Sequence, residues 1–205
     1  VQLIEQGDQR RQRSAIRKDM RARRRALNRE QRAAADRAVC RHVESLAAFR
    51  TARRVGIYLA FDGEPDLQRL IGNAVRHRKQ LFVPVLKGLD MHFAELPAGS
   101  AMARNFFGIM EPEQERRADV RTLDLVLTPL VAFDPQGARL GVGRGYYDRC
   151  FAFLRHRNAW VRPKLLGVAY GLQEIPAIEL QPWDVTLWGV VTESGARRFP
   201  RRVRA

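Results

Sequence analysis

The sequence predicts an α/β fold, one domain whose mostly parallel or mixed, Rossmann-like sheet is wrapped by helices. Three observations point there. Short apolar runs of strand length alternate with segments of helical period, as they do when strands are joined by helical crossovers. One such run, Leu125–Thr128, leads through a turn into a glycine-rich loop that opens another helical segment. The 205 residues, 45% hydrophobic and 29% charged, are enough for one sizeable core and short for two. Loops in such a fold gather at the carboxyl ends of the strands, where open α/β sheets bind ligands.

Residues 1–13 are polar, lack an apolar period, and predict a disordered leader or the remnant of an upstream segment. Ser14 can cap a helix carrying Ile16, Met20, Arg23, Arg24 and Leu27. Asn28-Arg29-Glu30-Gln31 reads as the capping box of a second helix, with Val39, Val43, Leu46 and Ala47 as its buried stripe. Lys18 and Arg21 lie three apart on the first helix, so their heads project from neighbouring points of one face. Such a pair can grip a triphosphate, or simply be part of a solvated basic face.

Val55–Ala60 predicts a strand, and Phe61-Asp62-Gly63-Glu64-Pro65-Asp66 a turn into a helix carrying Leu67, Leu70, Ile71 and Val75. Glu64 thus stands at the carboxyl end of a strand, placed either to meet a ligand or to cap its helix. Leu81–Val85 and Met91–Glu95 read as the next two strands, Pro84 marking an edge or a bulge. His92 is expected at an exposed strand position rather than as a catalytic base. Leu165–Tyr170 and Leu187–Val191 are further apolar runs, and residues 195–205, with five arginines, predict a frayed basic tail.

The glycine-rich loop carries the strongest local signal. After the turn Asp134-Pro135-Gln136-Gly137, the glycines Gly141, Gly143 and Gly145 alternate with Val142 and Arg144. Backbone of this kind can turn its N–H groups toward a ligand with no Cβ in the way. Tyr147, Cys150, Phe151 and Leu154 then recur at helical spacing, which sets the loop at a helix N-terminus, a favourable place for a phosphate. The string matches neither the P-loop nor the dinucleotide fingerprint, so a ligand-free glycine turn is the competing reading.

The loop, from Arg139-Leu140 through Gly141-x-Gly143-x-Gly145-Tyr146-Tyr147-Asp148-Arg149, follows Leu127-Thr128-Pro129-Leu130-Val131-Ala132-Phe133-Asp134. Together they resemble the signature of the 5-formyltetrahydrofolate cyclo-ligases, also called methenyltetrahydrofolate synthetases. Weaker matches occur in the expected order: Lys18-x-x-Arg21, Asn105-x-x-Gly108-Ile109-x-Glu111-Pro112, Gly167-x-Ala169-Tyr170-x-x-Gln173, and Trp183-Asp184. The resemblance covers residues 14–193 and departs at Trp188, where many members carry an Asp.

The resemblance implies a single-domain α/β sandwich over residues 14–194. It also implies ATP-dependent cyclisation of 5-formyltetrahydrofolate, polyglutamylated forms included, to the 5,10-methenyl compound. By residue, it implies ATP contacts from Lys18, Arg21, Arg139, Gly141, Gly143, Arg144, Gly145, Tyr146 and Tyr147. Folate contacts would come from Leu59, Glu64, Phe106 and Tyr146, Mg²⁺ would be held by Asp148 and Asp184, and Arg144 and Tyr146 would be catalytic. A cytoplasmic monomer is the accompanying expectation.

Charge leaves a second class in play. The net charge of +15 is concentrated in residues 1–54, where 16 Lys/Arg face 6 Asp/Glu, so +10 of it lies there. That surface suits ATP and a carboxylate-bearing folate, or a nucleic acid held without sequence preference, although no base-reading module accompanies it. Another phosphoryl-sugar or CoA enzyme of similar fold is a third class. Cys40 and Cys150 show no metal-ligand or CxxC spacing, as expected of free thiols in a reducing compartment. No 18-residue apolar run is present, so a membrane span is not expected.

Overall fold

The computed structural model describes residues 2–156 and 162–200. The chain runs α1 (Gln2–Ala26), α2 (Arg29–Ser45), α3 (Ala47–Thr51), β1 (Arg54–Gly56), α4 (Gln68–Arg76), β2 (Gln80–Lys87) and β3 (Asp90–Glu95). There follow β4 (Met102–Arg104), β5 (Met110–Pro112), β6 (Arg117–Ala118), β7 (Leu125–Pro129), β8 (Ala132–Phe133), β9 (Arg139–Leu140) and α5 (Tyr146–Cys150). The last strands are β10 (Lys164–Val168), β11 (Gly189–Thr192) and β12 (Gly195–Arg198).

Eight strands form one sheet in the order β12-β11-β10-β7-β1-β2-β3-β6. The central five, β11-β10-β7-β1-β2, are parallel; β12 and β3 run antiparallel to them at either side, and β6 pairs antiparallel with β3. Numbered among themselves in chain order, the parallel strands lie 2-1-3-4-5, one of the two common doubly wound orders, whose direction reverses between the first and third strands. Here that switch point is the gap between the carboxyl ends of β1 and β7.

Both faces of the sheet are covered, which explains why β7 reads as a continuous apolar run. Leu125 and Leu127 pack with Val39, Val43, Phe49 and Leu70 of the helices α2, α3 and α4. Val126, one residue out of phase, packs on the other face with Phe93, Phe133 and Phe151. A third cluster seats α1 through Met20 on Val131, Ala132, Ala138, Leu140 and Ile178 around the β8–β9 hairpin.

The structure differs from the sequence reading at both ends. Residues 2–13 are the first turns of α1 rather than a disordered leader, and Arg13 is tied to Asp184 by an ion pair of 2.6 Å. Residues 195–198 of the expected tail are an edge strand, followed by a buried Phe199; residues 201–205 lie outside the described residues. Exposed arginines along β12 are compatible with an edge, where one row of side chains faces water. His92 is buried, not exposed, with its Nε2 2.8 Å from Glu115 Oε2, a partner 23 residues away. The expected capping box is present, Gln31 N donating to Asn28 Oδ1 and Asn28 N to Gln31 Oε1.

Candidate active site at the switch point

Two loops meet above the switch point. The first leaves β1 at Tyr58 and turns at Phe61–Glu64, where Asp62 and Gly63 have φ of 51° and 76° and Glu64 N donates to Phe61 O at 3.0 Å. Two successive positive φ values describe a type I′ turn, in which a glycine and an aspartate are the natural residues. Arginines clamp this turn. Asp62 accepts from Arg21 Nε at 2.6 Å and from Arg25, and Arg24 Nη2 donates to the Asp62 carbonyl at 2.7 Å. Arg32 Nη1 donates to Gly63 O at 2.8 Å.

Arg24 is the deepest of these, 1% exposed, and it also reaches Leu130 O in the second loop, which leaves β7 at Leu130. A buried guanidinium is tolerable only because its donors find acceptors. Burial alone would raise the Asp62 carboxyl, but hydrogen bonds from Arg25 and Arg21 outweigh it and hold it below the ordinary range. Arg21, Arg24, Arg25 and Arg32 are thus tied to one turn, and of the four only Arg24 is buried.

Between the loops lies a cleft of about 450 Å³. Its walls are largely apolar, from Leu59, Val83, Leu86, Met91, Ile109 and Leu130. Glu64 and Arg139 bring charge into it, and Tyr147 a hydroxyl. Burial pushes the Glu64 carboxyl up to about 7, against the pull of the Arg24 guanidinium and a hydrogen bond from Phe61 N. A largely apolar cleft with a few convergent polar groups is the usual form of a small-molecule site.

The glycine loop closes one side. Gly143 and Gly145 have φ of 102° and 66°, and Gly145 is the residue that caps α5, a helix of five residues where a longer one was expected. Arg17 Nε donates to Gly141 O at 2.9 Å, and its guanidinium carbon would stand 3.4 Å from a Cβ added at Gly143. Arg144 is exposed, with its guanidinium 4.9 Å from the Phe107 ring centroid. Arg149 Nη1 donates to Arg144 O at 2.8 Å. On the far side of the loop is a second basin of about 440 Å³, lined among others by Arg149, Arg155 and Trp183. Arg144, Gly145 and Asp148 line both cavities.

Both expected metal ligands are engaged. Asp148 Oδ1 accepts from the buried Arg139 Nη2 at 2.8 Å and from Val185 N at 3.1 Å, and Asp184 Oδ2 accepts from Arg13 Nη2 and from Gln181 N. The Val185 bond brings Asp184, its chain neighbour, beside Asp148. Among the described residues no group of three or more His, Cys, Asp or Glu gathers to hold a metal. This donor set still fits Mg²⁺, which is held by one or two carboxylates together with phosphate oxygens and water rather than by an all-protein cage. Trp188 is not part of it: its ring lies under Lys164 and Arg198 at the amino ends of β10 and β11.

Of the expected site residues, Arg21, Leu59, Glu64, Arg139, Gly141, Arg144, Gly145, Tyr146, Tyr147 and Asp148 line the cleft. Lys18 does not line either cavity: it is exposed, and the helix turns Arg17 toward the glycine loop and Arg13 toward Asp184 instead. Phe106 is 94% exposed, while its neighbour Phe107 lines the cleft. Tyr146 spends its hydroxyl on Gly88 O at 2.9 Å, tying the glycine loop to the β2–β3 turn. Gln173, read only as a motif residue, donates to Leu130 O and Val131 O and holds the second loop from beneath. Sequence reasoning missed Arg13, Arg17 and Arg24 as anchors. Their helical spacing relative to Met20, which faces inward, was the available signal.

A profile described as the 5-formyltetrahydrofolate cyclo-ligase family matches residues 9–193. The 5-formyltetrahydrofolate cyclo-ligase of Haemophilus influenzae is 32% identical over 186 residues, covering 87% of this chain and 96% of that protein. Its Escherichia coli counterpart is 33% identical over 180 residues, covering 85% and 97%. Among solved structures, Aquifex aeolicus 5,10-methenyltetrahydrofolate synthetase superposes with a TM-score of 0.79 at 30% identity, covering 94% of this chain and 96% of that one. The synthetase from Mycoplasma pneumoniae, 21% identical with a TM-score of 0.71 over 88% and 98%, shares the fold.

Proposed function

The chain belongs to the 5-formyltetrahydrofolate cyclo-ligase family, and from that premise we propose that its switch-point cleft binds 5-formyltetrahydrofolate while the glycine loop holds ATP. The product is 5,10-methenyltetrahydrofolate, with ADP and phosphate released. One observation carries the arrangement: Arg144, Gly145 and Asp148 line both cavities, so phosphates laid over the loop reach the mouth of the cleft.

The chemical difficulty is the formyl oxygen, an amide oxygen and a very poor leaving group. Transfer of the γ-phosphoryl group to it gives an iminium phosphate. The nitrogen at position 10 then attacks the activated carbon, and phosphate leaves with the formyl oxygen. The protein needs no covalent intermediate for this; in-line placement and charge neutralisation carry the catalysis.

Arg17, Arg139, Arg144 and Arg149 are cations at the loop, and Arg144, on the wall shared by both cavities, is the candidate to follow charge as it moves to the transferred group. Gly143 and Gly145 let the backbone come close to phosphate oxygens. Tyr146 fixes the loop against the β2–β3 turn rather than acting on substrate through its hydroxyl. Glu64 accepts hydrogen bonds from the pterin N–H edge, and Phe107 takes the place foreseen for Phe106. Asp148, with Asp184 beside it, would hold Mg²⁺ against the phosphates, where the ion offsets their charge.

Among the described residues no helix is long and apolar enough to cross a membrane, and Cys40 and Cys150 are unpaired thiols. Free thiols suit the reducing cytoplasm proposed for the chain. The test is direct. Purified protein mixed with Mg-ATP and 5-formyltetrahydrofolate should produce the near-ultraviolet absorbance of the methenyl product, and omission of ATP should abolish it. Absence of product with both substrates present would reject the reading.

A further inference from the structure

The chain has four tyrosines, and three of their hydroxyls are accounted for. Tyr58 donates to Pro65 O at 2.9 Å, Tyr146 to Gly88 O at 2.9 Å, and Tyr170 to Asp36 Oδ1 at 2.7 Å. The Tyr147 hydroxyl is buried and has no partner among the described residues. Its ring is fixed, stacked on Phe151 at 6.1 Å between centroids, with the Arg139 guanidinium 5.8 Å from the ring centre. A held ring with an idle buried hydroxyl is costly unless something arrives to use it. The residue lines the cleft and lies within electrostatic reach of Glu64.

We propose that Tyr147 is a specificity-determining residue whose hydroxyl donates to the 4-oxo group of the bound pterin, beside the N–H groups that Glu64 accepts. The inference rests on the folate reading of the cleft. The pterin edge presents, in order, a 2-amino donor, the adjacent ring N–H donor and the 4-oxo acceptor. A carboxylate answers the two donors together, and the acceptor then needs one neutral donor next to it. Tyr147 is the cleft tyrosine with a hydroxyl left to give. Arg139 Nε is also buried without a partner, but its guanidinium is already committed to Asp148 on the loop side. A site of this kind rejects ligands without the acceptor, because the hydroxyl would stay unpaired.

The test is Tyr147→Phe, which keeps the ring and its stacking. Binding of 5-formyltetrahydrofolate without ATP should weaken about tenfold, the usual worth of one hydrogen bond. In turnover the loss should fall on the folate KM and not on the KM for ATP. A formylated tetrahydropterin lacking the aminobenzoyl-glutamate portion should lose affinity by the same factor. The Tm of the free protein should hold or rise, since an unpaired buried hydroxyl has been removed. Unchanged folate affinity, a loss confined to kcat or to ATP, a loss absent with the truncated pterin, or a fall in Tm would each overturn the proposal. If the wild type itself binds no folate, the functional reading falls and takes this one with it; if the wild type binds and the variant binds equally well, only this one falls.

Discussion

Replacing Glu64 by Gln should raise the stability of the free protein at alkaline pH while weakening folate binding. The cleft holds the Glu64 carboxyl at about 7 against an ordinary value of 4.5. At about 1.4 kcal/mol per tenfold change in ionisation constant, that displacement is roughly 3 kcal/mol. The sign follows from proton counting. Between the two values the unfolded chain has released its proton and the folded one has kept it, so stability falls as pH rises through that window. Below pH 4.5 both states are protonated and the term vanishes; above 7 it is fully present as a penalty. Gln keeps an oxygen for Phe61 N and carries no charge, so the two proteins should be alike near pH 4 and part by up to about 3 kcal/mol by pH 8. Urea titrations of both at several pH values read the difference, other titrating groups being common to the pair. Parallel stability–pH curves would refute the claim that the cleft withholds solvent from Glu64.

Arg17→Met should raise the KM for ATP at least tenfold, the loss of a charge-assisted bond being about 1.5–3 kcal/mol, while Lys18→Ala stays within about twofold; equal effects in steady-state kinetics would contradict the placement of α1. Asp148→Asn should shift the Mg²⁺ concentration for half-maximal rate upward by about an order of magnitude, and an unshifted magnesium titration would remove Asp148 from the metal site. Arg24→Met should cost about 3 kcal/mol in urea unfolding because the carbonyls of Asp62 and Leu130 lose their buried donor; a cost under about 1 kcal/mol would show that the clamp on the turn is dispensable.

The parts of the fold legible from sequence were those set by neighbours in the chain. The capping box at Asn28, the run Leu125–Thr128 and the alternating glycines each carry their reason within a few residues. What was not legible depended on partners far away. Lys18 and Arg17 are adjacent on a helix and differ by about 100° in direction, so choosing between them requires knowing where α1 docks. That docking rests on Met20 against the β8–β9 hairpin, a contact across more than a hundred residues. The same holds for Asp62, whose three arginines come from another element, and for His92, whose acid arrives from the segment before β6. Two adjacent tyrosines look equivalent in the sequence; only the carbonyl of Gly88, taken by one, separates their roles. The arginines of residues 197 and 198 read as a solvated tail because an antiparallel edge strand needs few apolar residues of its own.

The central claim is that ATP removes the formyl oxygen by phosphorylating it. It is tested by running one turnover with 5-formyltetrahydrofolate carrying oxygen-18 in the formyl group and weighing the phosphate released. The account predicts phosphate with one heavy oxygen for each methenyl product formed. Unlabelled phosphate, with the heavy oxygen recovered in water, would contradict it.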